Sequence, residues 1–68
     1  MDNSDITLLL RKRAVQNVRE STEMLKQALA LLRSGNRQQA EQLQKAARVK
    51  RNESMWLMQK ANKLEDDF

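Results

Sequence analysis

A single glycine, Gly35, interrupts a 68-residue chain that contains no proline. Glycine is the one residue that enters the left-handed backbone region without strain, so the chain has one inexpensive place to reverse direction. That place, Ser34-Gly35-Asn36, falls almost at the midpoint. Arg33 just before it suits a helix C-terminus, where the macrodipole favours cations. On both sides Leu, Ala, Gln, Lys, Arg, Glu and Met dominate, and these are the strongest helix formers. The chain is therefore predicted to be all-α: helix 1 over about 4–33, a turn at 34–36 and helix 2 over about 37–64. At 1.5 Å per residue each helix is roughly 40 Å long. Matched helices joined by a tight connection make an antiparallel, coiled-coil-like hairpin, one domain spanning 1–68. Asn3 or Ser4 can cap helix 1, with Asp5 favourable in its first turn. Asn36 with Gln39 gives a capping-box pattern for helix 2. Glu65-Asp66-Asp67 oppose the dipole at the far end, so fraying is expected there.

Spacings alternating between four and three residues define the packing seam. On helix 1 they select Leu8, Arg11, Val15, Val18, Thr22, Leu25, Leu29 and Leu32. On helix 2 they select Ala40, Leu43, Ala47, Lys50, Ser54, Leu57, Ala61 and Leu64. Folding about Asn36 then sets Leu32 against Ala40, Leu29 against Leu43, Leu25 against Ala47, Val15 against Leu57 and Leu8 against Leu64. The middle layers, Thr22 with Lys50 and Val18 with Ser54, form a weak waist.

That seam leaves apolar residues over. Leu10, Ala14, Met24, Ala28 and Leu31 form a second stripe on helix 1, while helix 2 carries Ala46, Val49 and Trp56 on one flank and Met55 and Met58 on the other. A two-helix hairpin covers one face of each helix, so a surplus stripe calls for another neighbour. The expected partner-binding residues are Leu10, Met24, Leu31, Met55, Trp56 and Met58. Tryptophan and methionine are favoured at such contacts. The occupant is a second copy, giving a dimeric helical bundle, or a different protein in a heteromeric complex.

Residues 28–48, with Leu32 before the turn, Gly35 in it and the small residues Ala40 and Ala47 after it, resemble the helix-turn-helix of a tetratricopeptide repeat or of the MIT helical hairpins. This resemblance implies two antiparallel helices that approach closely at those small residues. It covers under a third of the chain, and the repeat's large aromatics and a second repeat are absent. In overall plan the chain is also similar to the small Rop-type RNA-binding proteins, hairpins that dimerise into four-helix bundles, although no residue motif carries that likeness.

Lys and Arg number 13 against 9 Asp and Glu, a net charge of +4. Arg11, Lys12 and Arg13, joined by Lys60 and Lys63 across the hairpin, form the expected contact set for nucleic acid, because clustered cations along helices match a phosphate backbone. Most of the other cluster, Lys45, Arg48, Lys50 and Arg51, is expected to be matched across the hairpin, with Glu20 near Arg51 and Glu23 near Arg48 or Val49, while Arg19 lies opposite Glu53.

With no Cys and no His, thiolate nucleophiles, imidazole bases, disulfides and the usual zinc ligands are ruled out. No Gly-rich phosphate loop occurs. No catalytic, cofactor-binding or metal site is expected. No apolar run approaches the roughly 20 residues of a membrane span. Acidic Asp2 and Asp5 precede Leu8-Leu9-Leu10, the wrong order for a secretory signal, so a cytoplasmic location is expected. The sequence thus points to a non-enzymatic protein-protein interaction module, such as a small adaptor, co-chaperone or assembly subunit. The alternative is a dimeric nucleic-acid-binding regulator that uses a basic helical face.

Overall fold

A computed structural model describes residues 2–66. Helix α1 spans Asn3–Arg33 and helix α2 spans Arg37–Asp66. They pack side by side as an antiparallel hairpin measuring 51 × 13 × 13 Å over its Cα atoms. The fold class read from the sequence is the observed one.

The helix ends show how local chemistry sets these limits. Asp2, not Asn3 or Ser4, caps α1: its extended backbone carries a carboxylate that accepts the Asp5 N–H at 3.0 Å. All three residue types cap well, but a charged carboxylate gains most at the positive end of the dipole. Gly35 adopts φ +89°. It closes α1 in a Schellman arrangement, with the Gly35 N–H donating to the Leu32 carbonyl at 3.1 Å and the Asn36 N–H to the Leu31 carbonyl at 2.8 Å. Because the Asn36 N–H is spent there, Gln39 cannot take it to complete a capping box. The Asn36 amide instead donates to the Ser34 hydroxyl at 3.3 Å. At the other end α2 continues to Asp66. Glu65 and Asp66, expected to fray, are thus helical, and Glu65 is held across the hairpin by Arg11; Asp67 lies outside the described residues.

The seam on α2 is the expected one, whereas that on α1 is displaced by one residue. Among the described residues, nine side chains are buried. Eight of them form two ladders of small residues at seven-residue spacing: Thr7, Ala14, Ser21 and Ala28 on α1, and Ala40, Ala47, Ser54 and Ala61 on α2. The buried Ser54 hydroxyl donates to the Ala14 backbone carbonyl at 3.0 Å. A hydroxyl so close to its own Cα reaches another helix's backbone only where the two backbones nearly touch. Stepping by seven residues from that contact aligns Ser21 with Ala47, Ala28 with Ala40 and Thr7 with Ala61. The ninth buried residue is Asn17.

The expected pairs Leu32–Ala40, Leu29–Leu43, Leu25–Ala47, Val15–Leu57 and Leu8–Leu64 are therefore not the layers of this hairpin. A three-residue turn holds the helices together, and small residues facing small residues permit the closest approach. Larger side chains then close over one edge of the ladder: Leu10, Met24 and Leu31 from α1 and Leu43, Leu57 and Leu64 from α2, all half-buried. The polar waist is real but is built on α1 from Asn17 and Ser21, not from Val18 and Thr22. Here the Asn17 amide donates to Glu53 at 3.2 Å, and Lys50 donates to Glu20.

Candidate functional site: the uncovered seam of helix 1

Shifting the seam by one residue changes which side of α1 faces outward. Consecutive helical residues are about 100° apart, so the eight-position ladder read from the sequence now points beside the hairpin instead of into it. Leu8, Val15, Val18, Leu29 and Leu32 are 53, 49, 44, 50 and 40% exposed. Leu25 and Arg11 are half-buried and Thr22 is exposed. Six of the eight positions are aliphatic. α1 is thus a helix with two adjacent seams, a small-residue seam used within the hairpin and an aliphatic seam left open. Covering five half-exposed aliphatic side chains is worth about 1 kcal/mol each, roughly 5 kcal/mol together. That sum is comparable to the whole stability of a domain this size.

The sequence-predicted partner residues divide accordingly. Leu10, Met24 and Leu31 belong to the hairpin's own packing, so the stripe they were to form with Ala14 and Ala28 is not a free surface. Met55, Trp56 and Met58 are exposed, by 58, 57 and 37%. Met55 and Met58 fall on the side of α2 that adjoins the open seam. Trp56 lies elsewhere, in a shallow groove with Gln59, Lys60, Lys63 and Leu64. The Lys60 ammonium sits 5.3 Å from the centre of its ring, a cation–π contact.

The basic residues are also redistributed. Three consecutive residues on a helix cannot share one face, and Arg11, Lys12 and Arg13 point three ways. Arg11 donates to Glu65 and, at 3.2 Å, to Asn62. Its bond to Glu65 holds the guanidinium above its ordinary pKa and the carboxyl below its own. Lys12 is exposed on the outer ridge. Arg13 lies near enough to Glu20 to help lower that carboxyl, whose principal causes are hydrogen bonds from Lys50 and Gln16. The expected pairs Arg19–Glu53, Glu20–Arg51 and Glu23–Arg48 are replaced by Asn17–Glu53, Glu20–Lys50 and Arg11–Glu65, as the shifted register requires.

A further feature of α1 lies outside the contact sets expected from the sequence. Lys12, Arg19, Lys26 and Arg33 recur at seven-residue spacing, and all are exposed. They form a straight basic ridge, with about 10.5 Å between neighbours, along the outer border of the open seam. On its inner border α2 presents Arg48 and Arg51, which line a groove of about 270 Å³ with Leu25, Gln44 and Ala47. The signal was available as a basic residue at every seventh position. Seven-residue spacing puts these four cations on one line of the helix, whereas the adjacent charges of Arg11-Lys12-Arg13 are spread around it.

Among the described residues no group of three or more His, Cys, Asp or Glu is placed to hold a metal ion, and no helix is long and apolar enough to cross a membrane. No family model matches the chain, nor does any curated protein or solved structure. Its own surfaces carry the functional reading.

Proposed function

We propose that the chain is a non-enzymatic protein-protein interaction module that works by burying the open seam of α1 against a helix of a partner. The observation that supports this is the ladder that keeps heptad spacing over eight positions from Leu8 to Leu32, of which Leu8, Val15, Val18, Leu29 and Leu32 are left uncovered by α2 and Leu25 is half-buried. Seams of this kind are read by other helices. An adaptor, co-chaperone or assembly subunit needs little more than one rigid, adhesive face of this sort. A location inside the cell is part of the same proposal.

The test is to purify the tagged chain and its Val15→Asp/Leu29→Asp variant from the native cell and to identify what co-elutes by mass spectrometry. The reading expects a protein recovered stoichiometrically with the wild type and lost with the variant, while circular dichroism shows equal helicity. Equal recovery with both would reject it.

Nucleic-acid binding is the second reading, and Trp56 is the observation that favours it. An exposed aromatic beside Lys60 and Lys63 is the kind of surface on which bases stack next to phosphates. Two facts weigh against it. Arg11 is already committed to Glu65 and Asn62, and the cations of the former cluster diverge. As the only tryptophan in the chain, Trp56 reports directly: single-stranded RNA that stacks on it should quench its fluorescence, with affinity falling steeply as salt rises.

A further inference from the structure

We infer that the occupant of the open seam is an amphipathic helix of a different protein, edged on both sides by carboxylates, and not a second copy of this chain. The inference rests on the interaction-module reading above and specifies the partner's chemistry. The shape of the site comes first. From Leu8 to Leu32 the seam runs about 36 Å in a straight line, and its alternating spacing suits the knobs of another helix. A membrane surface needs a broad apolar face with interfacial aromatics. This seam is narrow, is broken by Arg11 and Thr22, and contains no aromatic residue.

Charge then selects among helices. The outer border carries Lys12, Arg19, Lys26 and Arg33, and the inner border carries Arg48 and Arg51. Of the acidic residues on α1 within this stretch, Glu20 is bound by Lys50 and Glu23 lies on the far side of the helix. At the ends, Glu65 is bound by Arg11, leaving Glu41 as the one acidic group on that side without an ion pair among the described residues. Complementary charge on the borders sets which helix is accepted and how fast it arrives.

The same pattern disfavours self-association. Packing α1 antiparallel on α1 of a second copy sets the basic ridge against itself, four cations facing four. Packing it on α2 of a second copy offers Met55 and Met58 as the apolar residues of that side, among Gln44, Arg48, Arg51 and Asn62, with Glu65 already held by Arg11 and Glu41 the single acidic group left to set against four cations. Again cations meet the ridge. Neither helix of this chain complements the seam.

The test uses the full chain and three fluorescent helical peptides of 28 residues, with leucine at the seam positions and glutamate, glutamine or lysine on both borders. Anisotropy should show the glutamate-edged peptide binding at least tenfold more tightly than the glutamine-edged one, with no binding of the lysine-edged peptide. Leu29→Asp should weaken it at least tenfold, and Trp56→Ala should leave it within twofold. Converting Lys12, Arg19, Lys26 and Arg33 to glutamate should transfer preference to the lysine-edged peptide, with helicity checked for every variant. Equal binding of the glutamate- and glutamine-edged peptides would overturn the inference while leaving the interaction module standing. Failure of all three peptides to bind would overturn both. Tighter binding of phosphatidylglycerol vesicles or of an RNA duplex than of the glutamate-edged peptide would assign the seam to another occupant. A light-scattering mass of twice 8.0 kDa that Val18→Asp returns to 8.0 kDa would assign it to a second copy.

Discussion

Ala14 and Val15 are neighbours in sequence that the shifted register treats in opposite ways, and the contrast gives a sharp quantitative test. Ala14 is 1% exposed and its carbonyl accepts the Ser54 hydroxyl. Val15 is 49% exposed. Replacing Ala14 with leucine inserts three carbon atoms where two backbones approach. Overpacking of a filled site costs about 1–3 kcal/mol, and forcing the helices apart also removes a buried hydrogen bond worth about 1 kcal/mol. The total, about 2–4 kcal/mol, is a large share of the stability of a small domain. At roughly 4–8 °C per kcal/mol for domains of this size, the melting temperature should fall by about 10–30 °C. Val15→Asp replaces a half-exposed side chain that lies outside the buried ladder, so in the free chain it should change stability by about 0.5 kcal/mol or less. Thermal melts followed by far-ultraviolet circular dichroism at two protein concentrations measure both. If Val15→Asp unfolds the chain while Ala14→Leu is tolerated, the aliphatic ladder is the hairpin's own seam and the two-seam account fails.

Other consequences can be checked with the same instrument. Gly35→Val should lower stability by about 1–2 kcal/mol, because φ +89° is unfavourable for a branched residue. A Cβ there meets nothing within 4 Å, so the loss is backbone strain, and an unchanged melt would mean that the turn had reorganised. The Glu20 and Glu65 carboxyls both titrate below their ordinary value of 4.5 in the folded chain. Their contribution is therefore present above that pH and lost as pH falls through the depressed values. The melting temperature should drop below about pH 4.5 and drop less in Glu20→Gln/Glu65→Gln; an identical acid response in both proteins would count against these pairs. Asn17 is fully buried and its Oδ1 finds no partner among the described residues. Its counterparts on α1 are Leu10, Met24 and Leu31, so Asn17→Leu should raise stability by about 1 kcal/mol, and a loss instead would show that the waist depends on the amide.

What the sequence makes legible follows from which physical signals are local. The turn at Gly35, the two helices and their antiparallel arrangement depend on propensity and on one backbone conformation, and both can be read one residue at a time. The α2 seam was equally readable, because Ala40, Ala47, Ser54 and Ala61 alternate with Leu43, Lys50, Leu57 and Leu64 and offer no competing ladder. On α1 two ladders compete one residue apart. Choosing the one with more aliphatic carbon is sound for an isolated helix but fails in a hairpin. There a short turn and small residues on α2 reward closeness over bulk. The deciding sign is mutual smallness: Thr7, Ala14, Ser21 and Ala28 match the small ladder of α2 in size as well as in spacing, whereas the aliphatic ladder matches it in spacing alone. Once that choice is reversed, Leu10, Met24 and Leu31 move into the fold, Leu8, Val15, Val18, Leu29 and Leu32 move out, and the basic ridge appears beside them.

The two-seam organisation of α1 is open to direct measurement because the chain has no cysteine of its own. Single cysteines placed one at a time at 14, 15, 18, 21, 28 and 29 can be timed in their reaction with iodoacetamide, with and without the glutamate-edged peptide. In the free chain, positions 15, 18 and 29 should react at rates close to those of an unfolded peptide, while 14, 21 and 28 should be strongly slowed. Saturating peptide should then protect 15, 18 and 29 and leave 14, 21 and 28 unchanged. Fast labelling at 14, 21 and 28 with protection at 15, 18 and 29 in the free chain would contradict the account, because the aliphatic ladder would then already be closed by the hairpin itself.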